Sequence, residues 1–168
     1  MGITTKPSFD IEGYTYKIDS NGNLEKMMGP LRGLTTNYSP DASKIIFSKV
    51  LNENIVSGLY NEDENRQYSL GFNTLPEKCG WSYDSKIIYC GVPSSMSGNL
   101  PDNWYMGITS FSDSIVSYNT ETLGNEILVF NGVDNTEFMD IINVQVSPSG
   151  DFILFQNKKD LSLWSYEI

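Results

Sequence analysis

Histidine is absent from all 168 residues. Without it no Ser-His-Asp or Cys-His nucleophilic site can be assembled, and no imidazole can ligate a metal. Basic residues are scarce: 11 Lys and Arg stand against 21 Asp and Glu, a formal charge of −10. That balance argues against a nucleic-acid partner, because nothing here would release counterions from a phosphate backbone. There is no Gly-rich phosphate cradle and no interleaved basic and aromatic stripe. No apolar run approaches the roughly 18 residues needed to span a bilayer. The opening MGITTKPSFD has no signal-peptide core, and Lys6 stands where myristoylation needs Ser or Thr. Only two cysteines occur, Cys79 and Cys90, too few for a zinc site without histidine. No metal and no cofactor are expected. What is present suffices for a core: 39% of the residues are hydrophobic and 12% aromatic, too apolar for a disordered chain.

Helical periodicity is nearly absent. Short β-branched and aromatic runs recur instead, each closed by Gly, Asn, Asp, Ser or Pro. Tyr14 to Ile18 alternates at period two and runs into Asp19-Ser20-Asn21-Gly22-Asn23, with the Asn-Gly pair of tight hairpins. About thirteen strands are expected, the texture of an all-β domain.

An internal repeat decides the architecture. Tyr38-Ser-Pro-Asp-Ala-Ser-Lys-Ile-Ile-Phe47 aligns with Trp81-Ser-Tyr-Asp-Ser-Lys-Ile-Ile-Tyr-Cys90 and with Val146-Ser-Pro-Ser-Gly-Asp-Phe-Ile-Leu-Phe155. Ile45, Ile88 and Ile153 fall in the same place. The first two copies begin 43 residues apart, a blade-length period. The last two begin 65 apart, and the excess coincides with an irregular segment, Gly91 to Asp113. Each decamer is a hairpin, in which Pro presets φ and Asp bonds its own backbone. Further strands follow: Ile55–Tyr60 and Arg66–Leu70, Ser114–Asn119 and Asn125–Phe130, then Leu161–Tyr166. Four antiparallel strands per repeat make a β-propeller blade. The expectation is an open arc of three to four blades: 1–30 a partial blade, 31–73 a blade, 74–133 a blade with an insertion at 91–113, and 134–168 a last partial blade.

The decamers resemble the Ser-Pro-Asp-Gly repeat of TolB-like β-propellers, a bacterial cell-envelope family related to WD-type propellers. Leu100 to Tyr105, running on to Phe111-Ser112-Asp113, and Asn157 to Trp164 are similar to the C-terminal part of uncharacterised, envelope-anchored TolB-like propellers of uncultivated small-genome bacteria. The resemblance implies an extracytoplasmic or envelope location and a protein or envelope partner. Ala42 and Ser85 replace the turn glycine, Tyr83 replaces Pro and Ser149 replaces Asp. The motif is structural, so it carries over no catalytic residue. An open arc leaves apolar end faces in water. Missing upstream blades or self-association are therefore expected.

In the repeat register Cys79 lies opposite Cys90. Opposed Cβ atoms are about 4.5–5.5 Å apart, closer at non-hydrogen-bonded pairs, and a disulfide needs roughly 3.5–4.5 Å. A cross-strand bond and two buried free thiols both fit that register. The oxidising location implied by the resemblance favours the bond.

The insertion is the candidate binding element. It joins the second and third strands of its blade, on the rim where propellers often bind ligands. It carries Trp104, Tyr105 and Phe111, with Asp102 and Asp113 nearby, a set suited to a peptide or sugar surface. The competing reading folds the aromatics back to cap the neighbouring blade. Glu62-Asp63-Glu64 lacks the spacing of a calcium loop and fits a solvated turn. Asp41 and Asp84 repeat in register as turn residues. The functional expectation is a non-catalytic scaffold for protein or envelope interaction. The alternative is a propeller domain of a carbohydrate-active or peptidase-like enzyme whose catalytic parts lie outside this chain.

Overall fold

The computed structural model describes residues 1–129 and 139–168. Its first sheet comprises β1 (Gly2–Thr4), β2 (Glu12–Ile18) and β3 (Leu24–Arg32). The second holds β4 (Thr35–Tyr38), β5 (Lys44–Leu51), β6 (Asn54–Asn61) and β7 (Arg66–Ser69). The third holds β8 (Cys79–Trp81), β9 (Ile87–Pro93), β10 (Asp113–Asn119) and β11 (Gly124–Val129). The fourth holds β12 (Ile141–Val146), β13 (Phe152–Asn157) and β14 (Leu163–Glu167). Within each sheet the strands lie in chain order, and every pairing is antiparallel. The result is an all-β partial propeller, an open arc of four stacked sheets.

Three apolar layers join the sheets. Met28 and Leu34 meet Ile45 and Phe47 between the first and second. Ile46 and Leu59 meet Trp81, Ile88 and Tyr118 between the second and third. Tyr89 and Ile115 meet Ile141, Ile153 and Phe155 between the third and fourth. The inner sheets are covered on both faces, so their second strands are continuously apolar: Ile45, Ile46 and Phe47 are all buried, as are Ile88, Tyr89 and Cys90. At the hub the first strands converge. A Cβ on Gly80 of β8 would overlap the Val144 carbonyl of β12, so only glycine fits there.

The repeats form the expected hairpins, pairing Tyr38 with Ile45, Trp81 with Ile88 and Val146 with Ile153. In each turn the serine closes the loop twice. The N–H groups of Ser39, Ser82 and Ser147 donate to the carbonyls of Lys44, Ile87 and Phe152. Their hydroxyl oxygens accept from the N–H groups of those same three residues. Three residues after each serine the backbone turns left-handed, with φ of 60° at Ala42, 61° at Ser85 and 80° at Gly150. Burial pushes the Asp41 carboxyl up, but hydrogen bonds from Ser39 and Ser43 outweigh it and hold its pKa at about 2. Asp41 therefore stays ionised as an acceptor. Only glycine adopts that φ without strain, so Ala42→Gly should stabilise the protein by about 0.5–1 kcal/mol. A urea midpoint that fails to rise would refute strain at this turn.

Several bounds shift from the sequence expectation. The first sheet has three strands, because three-residue β1 is too short to show alternation, and it extends to Arg32. Strand β9 runs to Pro93, so the first residues of the expected insertion belong to the sheet. The last strand starts at Leu163, since Leu161 sits in a turn with φ of 62°. Phe130 and the 133/134 boundary lie outside the described residues. Asp19-Ser20-Asn21-Gly22-Asn23 joins β2 to β3, with the Asp19 carboxylate accepting from the N–H groups of Asn21 and Asn23. Cys79 and Cys90 are directly opposed with Cα atoms 4.1 Å apart, the spacing of a non-hydrogen-bonded pair, and are joined as a disulfide.

Candidate functional site

Between β9 and β10 the chain leaves the sheet and folds back over it. Asp102–Tyr105 makes one helical turn, α1. Trp104 is 3% exposed and Phe111 4%, with ring centroids 6.4 Å apart and planes nearly parallel. They pack on Leu75, Leu100, Val50, Ile55 and Phe9. Asp102 accepts from the Phe9 N–H and, at 3.3 Å, from the Ser8 hydroxyl, tying the turn to the N-terminal segment. The insertion thus caps the blades. Of the five residues expected at a binding surface, Trp104, Phe111 and Asp113 are buried and present nothing to solvent. Their apolar and charged surfaces are spent on the core. Tyr105 alone among the aromatics is exposed, at 42%.

Beneath the cap lies a charged cluster that the sequence reading did not single out. Lys78 ends the 3-10 turn Pro76–Lys78, just before β8, and is fully buried. Its ammonium lies 2.7 Å from Asp113 Oδ2 and also bonds Asp140 Oδ1. The Trp104 and Phe111 rings approach it at 5.3 and 5.1 Å. Asp140 further accepts from Trp104 Nε1 at 3.0 Å, the Phe111 N–H at 3.1 Å and the Ser110 hydroxyl at 3.3 Å. Asp113 accepts from the Ile141 N–H at 2.6 Å, while its Oδ1 is buried without a partner. One buried lysine thus joins the insertion, the third sheet and the entry to the fourth.

The two carboxylates are not equivalent. Burial pushes Asp113 up to about 6; Lys78 opposes this and the Asp140 charge adds to it. Burial also pushes Asp140 up, but Lys78, the Phe111 N–H and the Trp104 indole outweigh it and hold it below the usual range. The proton therefore goes to Asp113. A carboxyl whose folded pKa exceeds the unfolded 3.8 contributes stability that is complete below that value and lost as pH rises through about 6. The loss is on the order of 2–3 kcal/mol. Asp113→Asn has no proton to lose. Its urea midpoint relative to wild type should rise between pH 4.5 and 7.5; parallel profiles would contradict the assignment.

Tyr105 lies against Trp104, with ring centroids 5.5 Å apart, and stands at the rim of a cleft of about 300 Å³ lined by Thr4, Lys6, Thr36, Glu77 and Tyr105. A second cleft, of about 520 Å³, shares Thr4, Thr36 and Glu77 and continues past Asn37 and Pro76. The Tyr105 hydroxyl donates to Glu77 Oε1, while Glu77 Oε2 is buried without a partner. Burial raises the Glu77 carboxyl above its ordinary range, and burial together with the Glu77 charge raises the Tyr105 phenol. In this lining the Thr4 and Thr36 hydroxyls bond each other and Glu77 is engaged by Tyr105, so the Tyr105 ring is the aromatic contact area the cleft offers. Among the described residues no three Cys, Asp or Glu side chains converge to hold a metal. No helix there is long and apolar enough to cross a membrane.

No protein-family model matches the chain, and no curated protein matches it by sequence. Solved structures do match it by fold. TolB from Acinetobacter baumannii superposes with a TM-score of 0.61 at 16% identity, over 93% of this chain and 35% of that one. A putative TolB from Agrobacterium tumefaciens gives 0.60 at 16% identity, over 98% of this chain and 58% of that one. An oligogalacturonate lyase in complex with manganese gives 0.60 at 12% identity, over 99% of this chain and 51% of that one. This chain therefore spans between about a third and three fifths of the length of these structures. Its fold is that of a TolB-type β-propeller, present as an open arc.

Proposed function

We propose that this chain is a non-catalytic propeller scaffold for a protein or envelope partner, which enters the cleft between Lys6, Thr36, Glu77 and Tyr105. One observation carries the reading: Tyr105, packed against the buried Trp104 ring and bonded to Glu77, holds an exposed aromatic ring at a cleft rim. A tyrosine on rigid support offers contact area with little entropy to lose on binding. The carboxylates support the non-catalytic reading. Asp113 and Asp140 are engaged by Lys78 and backbone donors, and Glu77 by Tyr105. An extracytoplasmic location is supported by the Cys79–Cys90 bond, since such bonds persist in oxidising compartments. The neighbouring folds include a lyase as well as TolB, and fold alone does not choose among roles.

The test is capture of envelope proteins on the immobilised chain. Tyr105→Ala and Glu77→Gln should each reduce retention of the captured partner about tenfold. Tyr83→Ala, at an 81% exposed residue outside the cleft lining, should leave it unchanged. Equal retention by all three variants rejects the cleft as the site.

A further inference from the structure

Glu77 stands where the two clefts meet. It lines the cleft of about 300 Å³ at Tyr105 and also the cleft of about 520 Å³ that continues past Asn37 and Pro76. The 3-10 turn Pro76–Lys78 gives Lys78 to the buried cluster and Glu77 to the clefts. Of the two Glu77 oxygens, Oε1 accepts from the Tyr105 hydroxyl and Oε2 is buried with no partner. A carboxylate has about four lone-pair sites, so a single hydrogen bond leaves it short of donors. No ion pair among the described residues reaches it. Lys78, its neighbour in sequence, is held by Asp113 and Asp140. Burial pushes the Glu77 carboxyl up, and the Tyr105 hydroxyl and the Lys78 charge oppose this without cancelling it. Burial alone favours the neutral acid; a cation bonded to it favours the carboxylate and removes the cost of a buried, uncompensated charge.

The surroundings suit such a cation. The Tyr105 ring, exposed at the rim, offers a negative π face. Asp102, on the same helical turn, adds its negative charge to the field at Tyr105. The whole chain carries −10 and so draws cations toward it. Lys6 is the opposing charge in the lining, and it is exposed, where solvent screens it.

Resting on the reading of this cleft as the partner's site, we propose that it receives a basic side chain of the protein partner, an arginine or a lysine, whose donors bond the Glu77 carboxylate while the Tyr105 ring lies against its charge. In the empty cleft the Tyr105 hydroxyl occupies Oε1. The incoming cation displaces it, and the carboxyl turns to bring Oε2 to the cleft. A guanidinium then bonds both oxygens.

The probes are blocked tripeptides, N-acetyl-Gly-X-Gly-amide with X arginine, lysine, glutamate or alanine, titrated at low salt against the isotope-labelled chain. The arginine and lysine peptides should shift the amide resonances of Glu77, Lys78 and Tyr105 and bind about tenfold more tightly than the glutamate peptide. Glu77→Gln keeps the shape of the side chain and should erase that preference. Lys6→Ala, at an exposed position that leaves the fold intact, should tighten the arginine peptide about two- to fivefold by removing a like charge. Tyr105→Phe keeps the ring and frees Oε1, so it should bind that peptide at least as tightly as wild type. A preference for the glutamate peptide, or weaker arginine binding in Lys6→Ala, would mean an acidic ligand and overturns the inference. An arginine preference that survives Glu77→Gln overturns it too, because the cation would then sit elsewhere, and so does the failure of every peptide to shift these resonances. None of these results removes the cleft as the partner's site, which falls only if Tyr105→Ala and Glu77→Gln retain the captured partner as Tyr83→Ala does.

Discussion

Lys78→Ala should lower the unfolding free energy by about 3–5 kcal/mol, the largest effect of any single lysine or arginine removal among the described residues. The ammonium is fully buried, and two carboxylates with no exposed side-chain surface depend on it. Removing it leaves Asp113 and Asp140 facing each other in a desolvated pocket. Asp140 keeps the Trp104 indole and the Phe111 N–H, but Asp113 keeps only the Ile141 N–H, with Oδ1 already unpaired. In a chain of this size each kcal/mol is worth roughly 2–4 °C, so the melting temperature should fall by about 6–20 °C. Lys17 is the control. Its bond to Glu62, at 2.6 Å, is as short as that of Lys78 to Asp113, yet both side chains are about a third exposed. Solvent screens that pair, and Lys17→Ala should cost at most about 1 kcal/mol. If the two variants lose equal stability, burial is not what sets the strength of the Lys78 cluster.

The fold was legible because its signals are local and repeated. A serine that accepts from the N–H five residues on, an apolar residue opposite an isoleucine, and a turn between them recur in each decamer, and the structure pairs each as the register demands. The opposition of Cys79 and Cys90 followed from the same register. Of the site, Trp104 and Asp113 were singled out as surface residues, but Lys78, Asp140 and the cluster they form were not legible, because its members are far apart in sequence. Lys78, Trp104, Asp113 and Asp140 come from four separate segments that only blade stacking brings together. Each left a faint local trace: a lysine between Leu75-Pro76 and Cys79-Gly80, and an aspartate between Met139 and Ile141, both charges set among residues that become core. A charge embedded in an apolar stretch that leads into a strand calls for a buried partner, though it does not say which one. The aromatic residues of the insertion left two readings open for the same reason, and Trp104 and Phe111 take the capping one. Composition gives no direction, and whether Trp104 points out or in depends on an Asp140 acceptor 36 residues away.

Trp104→Ala and Tyr105→Ala should therefore part company, although the residues are adjacent. Trp104 is 3% exposed, stacks on Phe111, donates to Asp140 and gives its carbonyl to the Lys158 ammonium, which lies 4.5 Å from its ring centroid. Truncation opens a large cavity next to a charge cluster that loses a donor and a cation–π face. The expected cost is about 3–5 kcal/mol, seen as a lower urea midpoint. Tyr105 presents its ring to solvent and loses one hydrogen bond, to a Glu77 carboxyl that burial already favours in the neutral form. Its removal should cost about 1 kcal/mol or less, leaving the midpoint near that of wild type. The contrast separates support from contact. Trp104→Ala should abolish partner capture by loosening the insertion, and Tyr105→Ala should weaken it in a protein that remains folded. Capture lost only in step with stability, across both variants, would mean that the ring at the cleft rim makes no contact of its own.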